Sequence, residues 1–144
     1  MNKETIIIKA DKLLQKTEIY STSNRNLITN IFDGYNQYDM MLNAEVTAKE
    51  ARLFMLERGQ CVWEHRVEHE EIVIYAVINS IINIITNKLT YDNFKDTNGH
   101  CSYSAETKLY NKQLREEAYQ AIGDPYENWS KQGITIWSLD KIIL

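Results

Sequence analysis

The sequence predicts a mainly α-helical protein with a small β element. Its length of 144 residues suits a single domain, 1–144, that buries one core. Three observations predict this fold: a long apolar run at about 68–87 without glycine or proline, apolar residues at helical spacing on both sides of it, and period-two alternation at 61–67. We expect about five helices around a central buried helix at about 68–87, with 61–67 pairing with 133–139.

Two helices are predicted before the centre of the chain. Residues 4–16 place apolar side chains at helical spacing opposite lysines, although 5–8 could form a short strand instead. A second stripe recurs every three or four residues and consists of Leu27, Ile28, Ile31, Phe32, Tyr35, Tyr38 and Met41. Gly34 within that stripe costs a helix about 1 kcal/mol relative to alanine, so we expect a bend or the close approach of another backbone there.

The strongest local signal for a helix lies at 48–58. Thr47 and Glu50 have the spacing of a capping box, in which each side chain accepts a hydrogen bond from a backbone N–H at the start of a helix. Apolar residues follow at Leu53, Phe54 and Leu56. Gly59 suits the left-handed turn that ends many helices, so the pattern predicts a helix over 48–58.

The segment 61–67 fits both a strand and a helix. As a strand it places Cys61, Trp63, His65 and Val67 on one face, and as a helix it places Cys61, His65 and His69 on one face. The glycine before it and the clean alternation favour a short strand. Such a strand needs a partner, for which 133–139 is the best candidate.

The central apolar run could be one buried helix or a pair of buried strands, because periodicity cannot separate the two for a continuous run. Its length favours a helix, on which Ile74, Ile78, Ile81, Ile82 and Ile85 form one wide stripe. Sixteen uncharged residues, 72–87, separate Glu71 from Lys88, fewer than the roughly 20 that cross a membrane. We therefore expect no membrane partner.

The chain becomes polar at 92–100, which is typical of a surface loop. Ser104 then begins a helix that Gly123 and Pro125 end. We expect its inward side chains to be Leu109, Tyr110, Leu114, Ala118, Ala121 and Ile122.

The C-terminal segment 126–144 carries Tyr126, Trp129, Trp137 and the sequence Ile142-Ile143-Leu144. Burying two tryptophans contributes several kcal/mol of gross transfer free energy, at about 25 cal/mol per Å² of apolar surface. That amount is comparable with the net stability of a domain. We therefore expect this segment to pack on the central helix, with a second copy of the protein as the alternative.

Charge and cysteine content limit the class of protein. The chain has 16 basic and 20 acidic residues, and the excess of acid lies at 61–100. Because sequence-independent binding of nucleic acid draws on clustered Lys and Arg, nucleic acid is an unlikely partner. Two cysteines and no leader segment indicate a cytoplasmic protein with free thiols, and the Ile, Asn and Lys usage suggests an AT-rich genome such as that of a phage.

Several His, Cys and Glu residues could form a metal or catalytic site. His65, Glu68 and His69 match the inverted zinc-protease pattern H-x-x-E-H, in which two histidines hold the metal and a glutamate activates water. A structural zinc site could draw on Cys61, His65, His69, His100 and Cys101. We favour a half-buried Cys61 and two surface histidines that interact with Glu64, Glu68 or Glu71, so we predict no cofactor, with zinc as the alternative.

Six residues separate Arg58 from His65. This spacing resembles the Arg–His motif of the HEPN family of all-helical RNases. The resemblance implies catalytic roles for Arg58 and His65. The alternative function is therefore a small His-dependent hydrolase or RNase that uses His65 with Glu68, His69 or Arg58.

The weakness of these motifs favours a protein that is not an enzyme. An acidic stretch and an aromatic C-terminal segment are features of a partner-binding surface. The residues predicted to bind a partner are Glu64, Glu68, Glu70, Glu71, Trp129 and Trp137. We therefore expect a cytoplasmic regulator or inhibitor that binds another protein, is able to form a homodimer, and comes from a phage or mobile element.

Overall fold

In the computed structural model, the described residues are 1–34, 36 and 40–144. They form a helix-rich fold with a small three-stranded antiparallel sheet. The α-helices are α1 (Lys3–Leu14), α2 (Arg25–Phe32), α3 (Glu70–Phe94), α4 (Ala105–Ile122) and α5 (Tyr126–Lys131). The strands are β1 (Asn43–Val46), β2 (Ala51–Glu57) and β3 (Gln60–Val67), and short 3-10 helices lie at Thr22–Asn24 and Ile136–Lys141.

Helix α3 confirms the predicted central helix and extends it to Phe94. Glu70 and Glu71 occupy its first turn, where carboxylates interact favourably with the helix dipole. Every residue from 72 to 79 is buried, because α3 contacts α1, α2, α4, β3 and the C-terminal 3-10 helix. By length and composition α3 could also cross a membrane, but 67% of its most apolar stretch is buried inside the protein.

The two N-terminal helices follow the predicted pattern only in part. Helix α1 is confirmed, with Ile6, Ala10 and Leu14 buried. Helix α2 ends at Phe32, two residues before Gly34, whose φ of 71° is left-handed and stops the helix instead of bending it. Tyr35 and Tyr38 of the predicted stripe lie outside the described residues.

The helix predicted at 48–58 is wrong, because β2 occupies this segment. The Thr47 hydroxyl does accept a hydrogen bond from the Glu50 N–H, at 3.2 Å, as in a capping box. However, the Thr47 N–H also donates to the Glu50 carbonyl, at 2.8 Å, which closes a turn between β1 and β2. Beyond that turn, alternate residues Ala51, Leu53 and Met55 are buried, which is the period of a strand.

The strand predicted at 61–67 is confirmed as β3, but its predicted pairing with 133–139 is wrong. Strand β3 pairs with β2 in antiparallel register, with Leu53 opposite His65, and the sheet order is β1-β2-β3. Residue Gly59, with φ of 80°, makes the tight turn that joins the two strands. Residues 136–141 form a 3-10 helix instead, begun by the Thr135 hydroxyl, which accepts a hydrogen bond from the Trp137 N–H.

Helix α4 and the C-terminal segment complete the core. The Ser104 cap of α4 and the inward positions of Ala118 and Ile122 are confirmed, but Leu109 and Ala121 are exposed. Thr107 and Tyr119 are also buried on the side of α4 that faces the core. The predicted packing of 126–144 on α3 is confirmed for its larger part, with Tyr126, Trp129, Ile134, Ile136 and Leu139 buried. The Tyr75 hydroxyl of α3 donates to the Ile134 carbonyl and ties the segment down.

Candidate interaction surface

A shallow cavity of about 280 Å³ lies between the end of β3, the start of α3 and the C-terminal 3-10 helix. We call it the β3 cleft. Its lining consists of His65, Arg66, Val67, Glu68, His69, Ile72, Leu139, Asp140 and Ile142. The cleft thus combines apolar side chains, several of them buried, with charged and imidazole groups that are largely exposed. Apolar surface bordered by polar groups is typical of a site that binds another molecule.

An aromatic cluster adjoins the β3 cleft and consists of Trp63, His65 and Trp137. The Trp63 and Trp137 rings meet edge to face with centroids 5.5 Å apart, and the Trp63 and His65 rings stack at 6.3 Å. Trp137 remains 52% exposed. A large ring that is held in place by a neighbour and still reaches solvent can bury much apolar area against a partner while losing little conformational freedom.

The edge of the sheet at β3 is open. Strand β3 pairs with β2 on one side, and within the described part of the chain no backbone hydrogen bond reaches its other side. The N–H and C=O groups on that side of β3, next to the aromatic cluster, therefore have no backbone partner among the described residues. An unpaired edge of this kind can accept an extended segment of another chain as an additional strand.

The acidic residues predicted to bind a partner differ in how far their charge is neutralised. Glu64 forms ion pairs with Arg52 at 2.8 Å and Arg66 at 3.3 Å. Glu70 accepts a hydrogen bond from Lys9 and thereby raises the pKa of that lysine. Glu68 and Glu71 are exposed and form no ion pair with another described residue, so their negative charge is available to a partner.

Three of the predicted catalytic and metal-binding residues lie close together on the wall of the β3 cleft: His65, Glu68 and His69. However, His65 lies on β3 and His69 is the N-cap residue of α3, so the two histidines are not one turn apart on a helix. The geometry of the H-x-x-E-H metal site, which depends on that helical spacing, is not formed.

The other predicted zinc ligands lie apart from the cleft. Cys61 is exposed, with its Sγ 3.7 Å from an Arg52 guanidinium nitrogen, and His100 and Cys101 lie in the loop between α3 and α4. Among the described residues, no three His, Cys, Asp or Glu side chains are placed to hold a metal ion. The five predicted ligands therefore do not form one site.

Arg58 and His65 do not share a helix. Arg58 lies in the turn between β2 and β3, with a left-handed φ of 50°, and His65 lies on β3. The arrangement of these two residues therefore differs from the helical one that the resemblance to HEPN RNases implies.

Trp129 was predicted to bind a partner, but it is only 5% exposed and packs against Tyr75 and Tyr126 in the core. The residues that line or adjoin the cleft but were not predicted as site residues are Trp63, Arg66, Val67, Ile72, Leu139, Asp140 and Ile142. The alternation at 61–67 placed Trp63 beside His65, and this was the one signal that could have included Trp63. The predicted pairing of 133–139 with 61–67 brought Leu139 close to β3, but nothing in the sequence placed 140–142 there.

The chain matches no protein family, no curated protein and no solved structure. Its function is therefore inferred from its own surface.

Proposed function

We propose that the chain is a single-domain helical bundle around α3 that binds another protein, as a cytoplasmic regulator or inhibitor carried by a phage or mobile element. The observation that carries this proposal is the aromatic cluster of Trp63, His65 and Trp137 beside the open edge of β3. Tryptophan is enriched at interfaces, where one well-packed ring can account for a large share of the binding free energy.

The chemistry of the surface indicates what kind of partner fits it. The β3 cleft offers an apolar contact at the partly exposed Ile142, and exposed carboxylates at Glu68 and Asp140 border it. The whole chain has a formal net charge of −4. A partner with an apolar side chain among Lys or Arg residues would fill the cleft and be attracted to it over a longer range.

A second copy of the chain is the other partner that the β3 edge could accept. In an antiparallel pair of β3 strands centred on His65, Glu64 of each copy would lie opposite Arg66 of the other. Opposite charges at facing positions stabilise such a pair by about 0.2–1 kcal/mol each. A homodimer through β3 would occupy the same surface as a different partner, so the two would compete.

The proposal is tested by placing a photo-crosslinking amino acid at position 137 in cells that carry the native gene neighbourhood. Position 109 is a matched control, because Leu109 is 56% exposed but lies on α4. We expect position 137 to crosslink to one protein, and we expect position 109 not to crosslink to that protein. The crosslinked protein is then purified and its affinity for the chain is measured by calorimetry.

In that assay Trp137→Ala should weaken binding by about 30-fold or more, which corresponds to about 2 kcal/mol for a central tryptophan. Leu109→Ala should have little effect. Equal loss for the two variants, or no loss for either, would place the binding surface elsewhere. Molar mass by light scattering, with and without the partner, shows whether a homodimer competes.

A small His-dependent hydrolase or RNase remains the second candidate, because His65, Glu68 and His69 share one cleft. His65 would be the general acid or base. His65→Ala should then abolish cleavage of RNA or change the metal content of the purified protein. If metal content, RNA cleavage and cellular phenotype all stay the same, this candidate is excluded.

A further inference from the structure

A cavity of about 440 Å³ lies between the C-terminal half of α3, the loop 95–104 and the N-terminal half of α4, away from the β3 cleft. Its volume is within the range of small-molecule sites, which is about 300–1,000 Å³. It is lined by Asn87, Thr90, Tyr91, Cys101, Tyr103, Thr107, Lys108, Asn111, Lys112 and Arg115. The lining contains three cationic side chains and no carboxylate, although the chain as a whole is acidic. We call it the α3–α4 groove.

The three cations lie on one face of α4. Lys108, Lys112 and Arg115 are four and three residues apart, which is the spacing of neighbours along a helix surface. Lys112 forms a long ion pair of 3.7 Å with Glu116, in which both side chains are mostly exposed. Neither Lys108 nor Arg115 forms an ion pair with a carboxylate of the described residues. Their positive charge is therefore not neutralised within the groove.

The guanidinium of Arg115 is held in place by neutral groups. Its Nε donates to the Asn111 Oδ1 at 3.0 Å, and the Asn111 Nδ2 donates to the Asn87 Oδ1 at 3.0 Å and the Thr90 hydroxyl oxygen at 3.2 Å. Thr90 is buried and donates in turn to the Thr86 carbonyl. This network fixes Arg115 across two helices without satisfying its charge, which suits a guanidinium that binds an anion.

An exposed aromatic ring stands at the edge of the same groove. Tyr103 is 86% exposed, and the Lys108 ammonium lies 4.8 Å from its ring centroid. The loop that carries Tyr103 is tied to α3, because the Tyr91 hydroxyl donates to the Gly99 carbonyl at 2.6 Å. A tyrosine ring with an exposed surface beside a cation can stack on a planar ligand.

We propose that the α3–α4 groove binds a nucleotide, with its phosphate between Lys108, Lys112 and Arg115 and its base stacked on Tyr103. The cationic groups match the two negative charges of a phosphate monoester, and Arg115 can donate two parallel hydrogen bonds to it. A nucleic-acid polymer fits less well, because three cations on a chain of net charge −4 neutralise few phosphates. An adjoining cavity of about 630 Å³ has two carboxylates in its lining, Glu116 and Glu127, which would repel a phosphate. We therefore assign the phosphate to the α3–α4 groove.

The test is calorimetric titration of the full chain with adenosine monophosphate, guanosine monophosphate, adenosine and inorganic phosphate. We expect a nucleotide to bind more tightly than either inorganic phosphate or the nucleoside. Arg115→Gln should weaken nucleotide binding by about tenfold or more, because a hydrogen bond between charged groups is lost. Tyr103→Ala should weaken nucleotide binding but leave the binding of inorganic phosphate unchanged.

Lys49→Gln is the matched control, because it removes one positive charge from an exposed turn between β1 and β2, which does not line the groove, and should not change the affinity. Circular dichroism of each variant checks that it is folded, and Arg115→Lys, which keeps the charge, should lose less affinity than Arg115→Gln. No nucleotide binding at millimolar concentration would overturn the proposal. Equal affinity for inorganic phosphate and nucleotide, tighter binding of a single-stranded oligonucleotide, or unchanged binding by Arg115→Gln would also overturn it.

Discussion

Asn79 is a polar side chain in the middle of the apolar helix α3 and is only 6% exposed. Its Nδ2 donates to the Tyr119 hydroxyl at 2.9 Å. Its Oδ1 is a buried side-chain acceptor that has no hydrogen-bond partner among the described residues. An unpaired buried acceptor costs about 1–3 kcal/mol, so the α3–α4 contact is less stable than an apolar contact of the same shape would be.

We expect Tyr119→Phe to lower the free energy of unfolding by about 1–3 kcal/mol, because it leaves the Asn79 Nδ2 unpaired as well. Adding Asn79→Leu removes the remaining polar group and should recover much of the loss, since a purely apolar contact needs no hydrogen bond. Urea unfolding of both variants measures the two values. A double variant that is less stable than Tyr119→Phe alone would show that the amide stabilises the fold in another way.

Tyr75 makes stability depend on alkaline pH. Burial raises its pKa to about 12, from about 10 in an unfolded chain. The folded state therefore holds the phenolic proton more tightly. The resulting stability, about 3 kcal/mol for a difference of about two pKa units, is complete below about pH 10 and is lost as the pH rises to about 12.

The free energy of unfolding should therefore fall between about pH 10 and 12, and it should fall less steeply for Tyr75→Phe, which has no phenol at this position. Tyr75→Phe also loses the hydrogen bond to the Ile134 carbonyl, which lowers stability at every pH by about 1 kcal/mol. The slope against pH, measured by urea unfolding, separates the two effects. Parallel curves for the two proteins would contradict a raised pKa of Tyr75.

Among the elements, α3 could be predicted from sequence and β2 could not. The run of α3 is too long for a strand and contains no breaker, so length alone separates the two structures. At 48–58 the local sequence signals were compatible with both a helix and a strand. The Thr47 hydroxyl bonds to the Glu50 N–H in a capping box and also in the observed turn, and Gly59 can end a helix or join two strands. Pairing with β3, which lies beyond the local sequence, decides between them.

The turn between β2 and β3 gives an element-scale prediction. A Cβ at Gly59 would meet nothing within 4 Å, so Gly59→Ala tests only the cost of the left-handed φ. We expect it to lower the free energy of unfolding by about 1 kcal/mol. Gly59→Asn should cost less, because asparagine tolerates that conformation better. Equal losses measured by thermal unfolding would indicate that backbone strain is not the cause.

The strand that pairs with β3 also could not be predicted from the sequence. Period-two alternation shows that 61–67 is a strand but contains no information about which segment lies beside it. Segment 133–139 does approach β3, through the edge-to-face contact of Trp137 with Trp63, but it makes this contact from a 3-10 helix. The prediction that the two segments are in contact was therefore correct, but the contact is between side chains and not between paired strands.

At the scale of the whole molecule, the sequence could identify candidate site residues but could not group them. His65, Glu68 and His69 meet because β3 runs directly into α3, and their closeness along the chain made this foreseeable. The C-terminal wall of the cleft comes from residues about 70 positions later, at Leu139 and Ile142. The two tryptophans of 126–144 look alike in sequence, yet Trp129 is in the core and Trp137 is at the surface.

The C-terminal segment therefore contributes both to the core, through Trp129, and to the exposed surface, through Trp137. Truncation tests the contribution to the core. Removing 126–144 would expose the side of α3 around Tyr75, which is now covered by Tyr126, Trp129 and the Ile134 carbonyl. Loss of a buried tryptophan alone costs about 3–5 kcal/mol, a large part of the net stability of a domain. We expect this truncated chain to lose cooperative thermal unfolding or to self-associate through the exposed apolar side, which light scattering would detect.

Removing only Ile143 and Leu144, which are largely exposed, is the matched control and should change neither the melting temperature nor the molar mass. If the longer truncation also leaves both unchanged, the segment adds nothing to the stability of the core. The Trp137 surface would then rest on a segment that can detach from α3. Partner binding through that surface would require the segment to be ordered first, which would weaken the affinity.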